Sequence, residues 1–278
     1  MSKILDAHVH FWDPEARNYD WLEQVPALGR RLGPADLDPG EHELTGVVFV
    51  QADCRDDEAL DEVHWVQSLA AHWPLICGIV AYAPVHLGGA AAGHLRVLSG
   101  EPLVVGVRRL LQGLPPTTFT DPELITGVRM LAESGLTFDL CVTHDQLAQA
   151  SKLVRACPET RFVLDHVGKP PVRELGFDPW RADLETLAAS PNLVCKLSGL
   201  ATEAARGRGT EDARPYLQHA LKIFGARRCM IASDWPVVTL ETSASAWFDV
   251  VLDAIADLGP EDRDAVLAGT ATVTYGLK

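Results

Sequence analysis

The 278-residue chain has no run of apolar residues long enough to span a bilayer, and Asp6 stands where a secretory leader would need an unbroken apolar stretch. Both absences set up the expectation of a cytoplasmic protein with no membrane contact. Positive charge is scarce: 24 Lys and Arg against 38 Asp and Glu give a formal net charge of -14. That is the wrong sign for nucleic acid or anionic lipid. One arginine or lysine can still dominate the field inside a cleft, so the balance leaves the substrate open. The six cysteines, Cys54, Cys77, Cys141, Cys157, Cys195 and Cys229, are scattered, and no two have the spacing of a zinc knuckle or redox pair. A reducing compartment follows, with Cys77, Cys141, Cys195 and Cys229 read as small buried strand residues rather than nucleophiles. There is no low-complexity tract and no linker that would divide the chain, which predicts a single domain over 1–278.

What is present is a chain able to bury a full core, 47% hydrophobic and 22% charged. Eight β-rich runs recur, at 3–9, 46–51, 75–82, 103–110, 136–142, 161–167, 192–197 and 229–233. Between most of them lie segments of helical period, including 56–72, 121–134, 144–156, 178–189, 213–225 and 242–258. Several open at Asp, Thr or Ser and close near Gly, Asn or Pro. Apolar strands alternating with amphipathic helices imply a parallel sheet covered by helices. Eight such units predict closure into a (β/α)8 TIM barrel. The rival, an open doubly wound sheet, often carries a glycine-rich phosphate turn after its first strand, and none follows Val9. The segment 11–43, rich in Pro, Gly and aromatics, falls at the first catalytic-face loop and is expected to cover the site.

His8 and His10 are two apart at the end of the first strand, so both project from one face. Two imidazoles so placed can fill two coordination positions of a zinc-like ion or make two hydrogen bonds. His166 ends the sixth strand and Asp234 follows the eighth, where a barrel presents its chemistry. The cluster His8, His10, His166 and Asp234 is the predicted catalytic set and, if a metal is held, the predicted ligand set. Asp165, adjacent to His166, is expected on the opposite side of its strand in a supporting or capping role. By the same alternation, only one of Arg108 and Arg109 should enter the barrel mouth. Lys196 and Ser198 close strand seven. Trp12, Tyr19, Trp21, Tyr82 and Trp235, with Arg108, Arg109 and Lys196, are the candidate substrate-binding residues, the rings lining a sugar-sized pocket or packing in the core. His144 starts a helix beyond strand five and stands in reserve.

Taken in order, DAHVHFWD, GVRRLLQ, FDLCV, LDHVGKP, VCKLSGL with Thr202-Glu203, and ASDWPV make the chain resemble the amidohydrolase superfamily, nearly end to end. Within it the likeness is to the amidohydrolase-2 group, which contains lactonases acting on fucono-, galactono- or rhamnono-lactones and on a pyrone dicarboxylate. The resemblance implies hydrolysis of a cyclic ester of a small sugar acid, with the three histidines around the carbonyl and Asp234 beside the attacking water. Members with two metals carry a bridging lysine or glutamate on strand four and a histidine on strand five; here Arg108, Arg109 and Asp139 occupy those regions. The remaining set suits one divalent ion, zinc before others, or none. Asp234 as base needs its pKa raised by burial, or a water already acidified by metal or hydrogen bonds. Two rivals stand beside this reading: a mononuclear zinc decarboxylase or hydratase of the same fold, and a barrel that only binds a sugar acid or a metal.

Overall fold

The computed structural model describes residues 2–278. Eight parallel strands lie in the order of the sequence: β1 Lys3–Val9, β2 Glu43–Val50, β3 Ile76–Tyr82, β4 Val104–Arg108, β5 Thr137–Leu140, β6 Phe162–Leu164, β7 Leu193–Leu197 and β8 Cys229–Ile231. Seven parallel ladders join neighbours, and β8 meets β1 through a parallel bridge between Trp235 and Val9. All eight expected strands are present, and the (β/α)8 barrel is the observed fold. Several are shorter than expected, among them β4 and β5, and β6 stops at Leu164 and β8 at Ile231, ahead of the residues of greatest interest.

The outer layer comprises α1 Ala59–Ala70, α2 Ala92–Gly100, α3 Pro122–Glu133, α4 Leu147–Ala156, α5 Asp178–Ala188, α6 Leu200–Glu203, α7 Gly209–Phe224, α8 Ala244–Ala254, α9 Pro260–Asp264 and α10 Thr270–Tyr275. Their starts follow from cap chemistry where it exists. The Asp121 side chain accepts from Glu123 N ahead of α3, and Ser243 accepts from Ala246 N ahead of α8. Helix α2 escaped the sequence reading because AGHLRVLSG has glycine near both ends and no side-chain cap. On α3, Gly127 lets the turn at Val85 come against the helix; a Cβ there would lie 1.9 Å from the Val85 carbonyl oxygen.

Inside the ring, Leu5, Ala7, Val48, Val50, Val80, Val163, Met230 and Ala232 form one apolar cluster, capped below by Ala271 and Tyr275 of α10. The alternate strand residues join the larger cluster under the helices. The segment 11–43 is folded against the mouth as three short 3-10 turns, with Leu22, Leu28, Leu32 and Leu37 buried. Trp12 anchors it by donating from Nε1 to the carbonyls of Leu28 and Arg30, at 3.1 and 3.0 Å.

Candidate active site

The barrel closes at the residues of the predicted cluster. Asp234 N donates to His8 O at 2.9 Å and His10 N to Trp235 O at 2.7 Å. The Asp6 carboxylate accepts from the Ser233 amide at 2.8 Å and from its hydroxyl at 2.5 Å. His8 and His10 are fixed by β1, Asp234 by the chain leaving β8, and the same bonds set their spacing.

Asp234 Oδ1 lies 3.4 Å from His10 Nε2, 3.5 Å from His8 Nε2 and 3.9 Å from His166 Nε2. All four side chains are buried. The proton positions can be argued from the fixed partners. His10 Nδ1 is 2.7 Å from the Val50 carbonyl, which only accepts, so Nδ1 carries the hydrogen and Nε2 a lone pair. His8 Nε2, 3.0 Å away, then donates to that lone pair. This requires His8 Nδ1 to accept, and the Lys196 ammonium is 3.0 Å from it. Lys196 also donates to Asp139 Oδ2 (2.5 Å) and forms an ion pair with Asp165 Oδ1 (3.0 Å).

Behind His8 this forms a fully buried charge network. Asp139 also accepts from the Tyr275 hydroxyl at 2.8 Å, and Arg108 reaches Asp165 Oδ2 at 3.3 Å and the Gln51 carbonyl at 2.6 Å. Two cations face two carboxylates, all shielded from solvent. Burial would deprotonate Lys196, but Asp139 and Asp165 outweigh it and hold the ammonium charged. Asp165 is likewise driven below the usual carboxylate range, burial being overcome by Lys196, His8 and Arg108. The expectation that Asp165 points away from the mouth is corrected. Strand β6 ends before it, and the chain turns left-handed at His166 and Val167, each with φ 55°, so strand alternation does not extend this far.

Burial keeps the imidazoles neutral: His8 is pushed well down by desolvation and by Lys196, and His166, desolvated, falls to about 4. Burial alone would lift Asp234, but the histidines around it, His166 first, drive it well below the usual range. Of the two routes to an effective base, a pKa raised by burial is therefore closed. Asp234 is a permanently ionised acceptor.

A cavity of about 250 Å³ opens over this floor. Its walls include His10, Arg108, His166 and Asp234, together with Trp21, whose Nε1 donates to the Ala52 carbonyl at 2.9 Å. The other expected binding residues lie elsewhere. Trp12 and Trp235 are core residues, and the Tyr19 hydroxyl turns to Glu62. Tyr82 bonds Asp56, Arg109 bonds His86 Nδ1 at 2.7 Å, and Lys196 sits behind His8. His144 begins a short turn and is absent from the walls. Ser198 supports the site, its hydroxyl 2.9 Å from His166 Nδ1. Asp53, Gln112, Cys141 and Lys169 also line the cavity and were not singled out. Lys169 and Cys141 belong to the LDHVGKP and FDLCV segments; their signal was position just past a strand end.

His8, His166 and Asp234 each offer a ligand atom, all within 4.8 Å of one another. Neutral imidazoles and an ionised carboxylate are the forms a divalent ion binds, so the set fits one zinc-like ion. For His8 to present a lone pair on Nε2, its proton would move to Nδ1, toward Asp165 Oδ1 at 3.3 Å, and Lys196 would give up its hydrogen bond to that nitrogen.

The amidohydrolase family pattern matches residues 5–277. The chain is 31% identical to an L-fucono-1,5-lactonase of Burkholderia ambifaria, covering 100% of this chain and 97% of that one. It is 32% identical to an L-fucono-1,5-lactonase of Burkholderia multivorans, over 98% and 96%. An amidohydrolase of Burkholderia multivorans solved with bound zinc superposes with a TM-score of 0.88 at 29% identity, over the whole of both chains. Fold, cluster and likeness agree: the chain is a hydrolase and belongs to the amidohydrolase family.

Proposed function

We propose that the protein hydrolyses the cyclic ester of a small sugar-acid lactone. The observation that carries the reading is the floor of the cavity, where one ionised carboxylate faces the Nε2 atoms of three imidazoles. The two similar Burkholderia enzymes named L-fucono-1,5-lactonase support the choice of a lactone.

Asp234 Oδ1, facing the cavity, is placed to accept a hydrogen of a water bound over the floor. Held so, the water's own lone pairs point into the cavity, toward a bound carbonyl. As it attacks, Asp234 takes the proton, and negative charge grows on the carbonyl oxygen. Arg108 meets that charge from the wall. With Ser198 donating to Nδ1, His166 presents its Nε2 hydrogen to the same oxygen. One such donor is commonly worth about 3–4 kcal/mol in the transition state. A low-pKa carboxylate is a weak base, so most of the acceleration must come from this electrophilic side. A divalent ion held by His8, His166 and Asp234 would add polarisation of the carbonyl and a more acidic water. As the carbonyl re-forms, the ring C–O bond breaks and Asp234 returns its proton to the leaving oxygen; the hydroxy acid so formed releases its carboxyl proton to solvent.

The test is acid release from five- and six-membered sugar lactones, with zinc-replete and chelated protein run side by side. Turnover above the spontaneous rate is expected for at least one ring. Silence from both samples across the panel overturns the reading.

A further inference from the structure

Among the described residues, six non-glycine positions have positive φ: Asp53, His166, Val167, Lys169, Leu175 and Asp234. Four of the six line the cavity. Strained backbone persists where the surroundings impose it, and it concentrates at sites that must aim a side chain. Two of these four, His166 and Asp234, belong to the reacting cluster. The other two, Asp53 and Lys169, have no part in it.

Asp53 follows β2 and Lys169 follows β6, four strands apart in a ring of eight, so they stand across the cavity mouth from each other. Their charges are opposite, and neither has an ion-pair partner within 4 Å among the described residues. Lys169 Nζ donates to Gln112 Oε1 at 2.6 Å, while the Asp53 backbone is pinned by its amide donating to Gln51 Oε1 at 2.6 Å. Arg108, the other cation of the wall, already offsets the charge of Asp165 behind the floor. The mouth therefore offers one free anion and one free cation, over a floor that already holds the Asp234 carboxylate. A ring bearing carboxylates would meet two like charges with one lysine to offset them. A neutral ring bearing hydroxyls suits both sides, since each hydroxyl can donate to Asp53 or accept from Lys169. The cavity volume of about 250 Å³ corresponds to roughly eight waters and so admits a single monosaccharide-sized ring.

We propose that Asp53 and Lys169 form the hydroxyl-binding pair that selects an uncharged polyhydroxylated lactone and rejects rings carrying carboxylates. This rests on the lactonase reading above and assigns its specificity to two residues outside the reacting cluster. The test measures kcat/KM for three rings: a six-membered aldonolactone, δ-valerolactone without hydroxyls, and a 2-pyrone dicarboxylate. The wild type should favour the aldonolactone over both others. A hydrogen bond to a charged group is worth about one to two orders of magnitude in binding. Asp53→Asn and Lys169→Met should therefore each cut the preference for the aldonolactone over δ-valerolactone by roughly tenfold or more. The change should fall on KM rather than kcat, and Asp53→Asn should raise the relative acceptance of the dicarboxylate. Unchanged preferences in both variants would overturn the pair while leaving a lactonase standing. A wild type that opens the dicarboxylate as readily as the aldonolactone would do the same. A wild type that opens none of the three, nor a five-membered aldonolactone, would overturn the lactonase reading and the pair with it.

Discussion

Lys196 has no exposure to solvent and no neutral reason to be where it is. Its ammonium is matched with Asp139 and Asp165, while Arg108 offsets the second carboxylate, so the buried quartet is neutral as a whole. Lys196→Met keeps much of the side-chain volume but leaves two carboxylates against one guanidinium. Breaking a buried pair by removing one partner costs about 3–5 kcal/mol. At roughly 2–4 °C per kcal/mol for a chain of this size, the melting temperature should fall by roughly 6–20 °C. The penalty should also depend on pH. Asp139, already raised by burial and by Asp165, loses its main counter-charge and becomes the carboxyl that takes up a proton. Its folded pKa then lies further above the unfolded value, so the variant is most stable below the unfolded value. It loses about 1.4 kcal/mol per pH unit as pH rises toward the folded pKa. Thermal unfolding followed by circular dichroism at pH 5 and pH 8 should show the gap from wild type widening at the higher pH. Lys196→Met with Asp139→Asn removes one charge of each sign and should recover more than half of the loss. A loss below 1 kcal/mol at both pH values, or no recovery in the double variant, would refute the account of Lys196 as a paired buried cation.

Asp234→Asn should lower lactone turnover by a factor of about a thousand or more, as assayed by acid release, while keeping the circular dichroism spectrum of the folded chain. In Gly199→Ala the new Cβ would lie 2.6 Å from the His166 ring, on a residue with φ 74°. The ring must move, and kcat should drop by about 100-fold, with a modest fall in melting temperature. Glu62 is 1% exposed, and burial lifts its pKa to about 7. Its protonated form is the stable one, so its contribution is full below about pH 4.5 and is lost as pH rises to about 7. Glu62→Gln cannot ionise and should gain roughly 3 kcal/mol on the wild type between pH 4.5 and 7.5, read from denaturant titrations. Zinc titrated into chelated protein should bind at one site per chain by calorimetry, and His166→Ala should abolish that binding.

The alternation of apolar strands and amphipathic helices made the barrel legible, because β-strand and α-helix periods differ and every βα unit repeats the contrast. Residues at strand ends were legible for the same reason: His8, His10, His166 and Asp234 could be placed on one rim by counting strands. The binding residues were a different matter. Trp12, Tyr19, Tyr82 and Trp235 were singled out by ring type and loop position, and the core claimed Trp12 and Trp235 while Glu62 and Asp56 took the two hydroxyls. A loop that packs its own apolar residues gives no periodic signal of which ring faces inward. Asp53 and Lys169 were missed because their direction depends on a positive φ, which sequence pattern does not encode outside glycine.

Asp165 shows how the two kinds of information meet. Counted along an ideal strand it should face away from His166, yet it lies within 3.3 Å of His8 and Lys196 and accepts a hydrogen bond from Arg108. The short β6 explains the difference. By ending at Leu164 and turning left-handed at once, the chain delivers His166 to the cavity and its neighbour to the charge network directly behind. A regular strand could send only one of two adjacent residues inward. The left-handed turn is therefore what couples the reacting surface to the buried quartet. A change that let β6 continue regularly through residue 166 would have to withdraw Asp165 from Lys196 or His166 from Asp234.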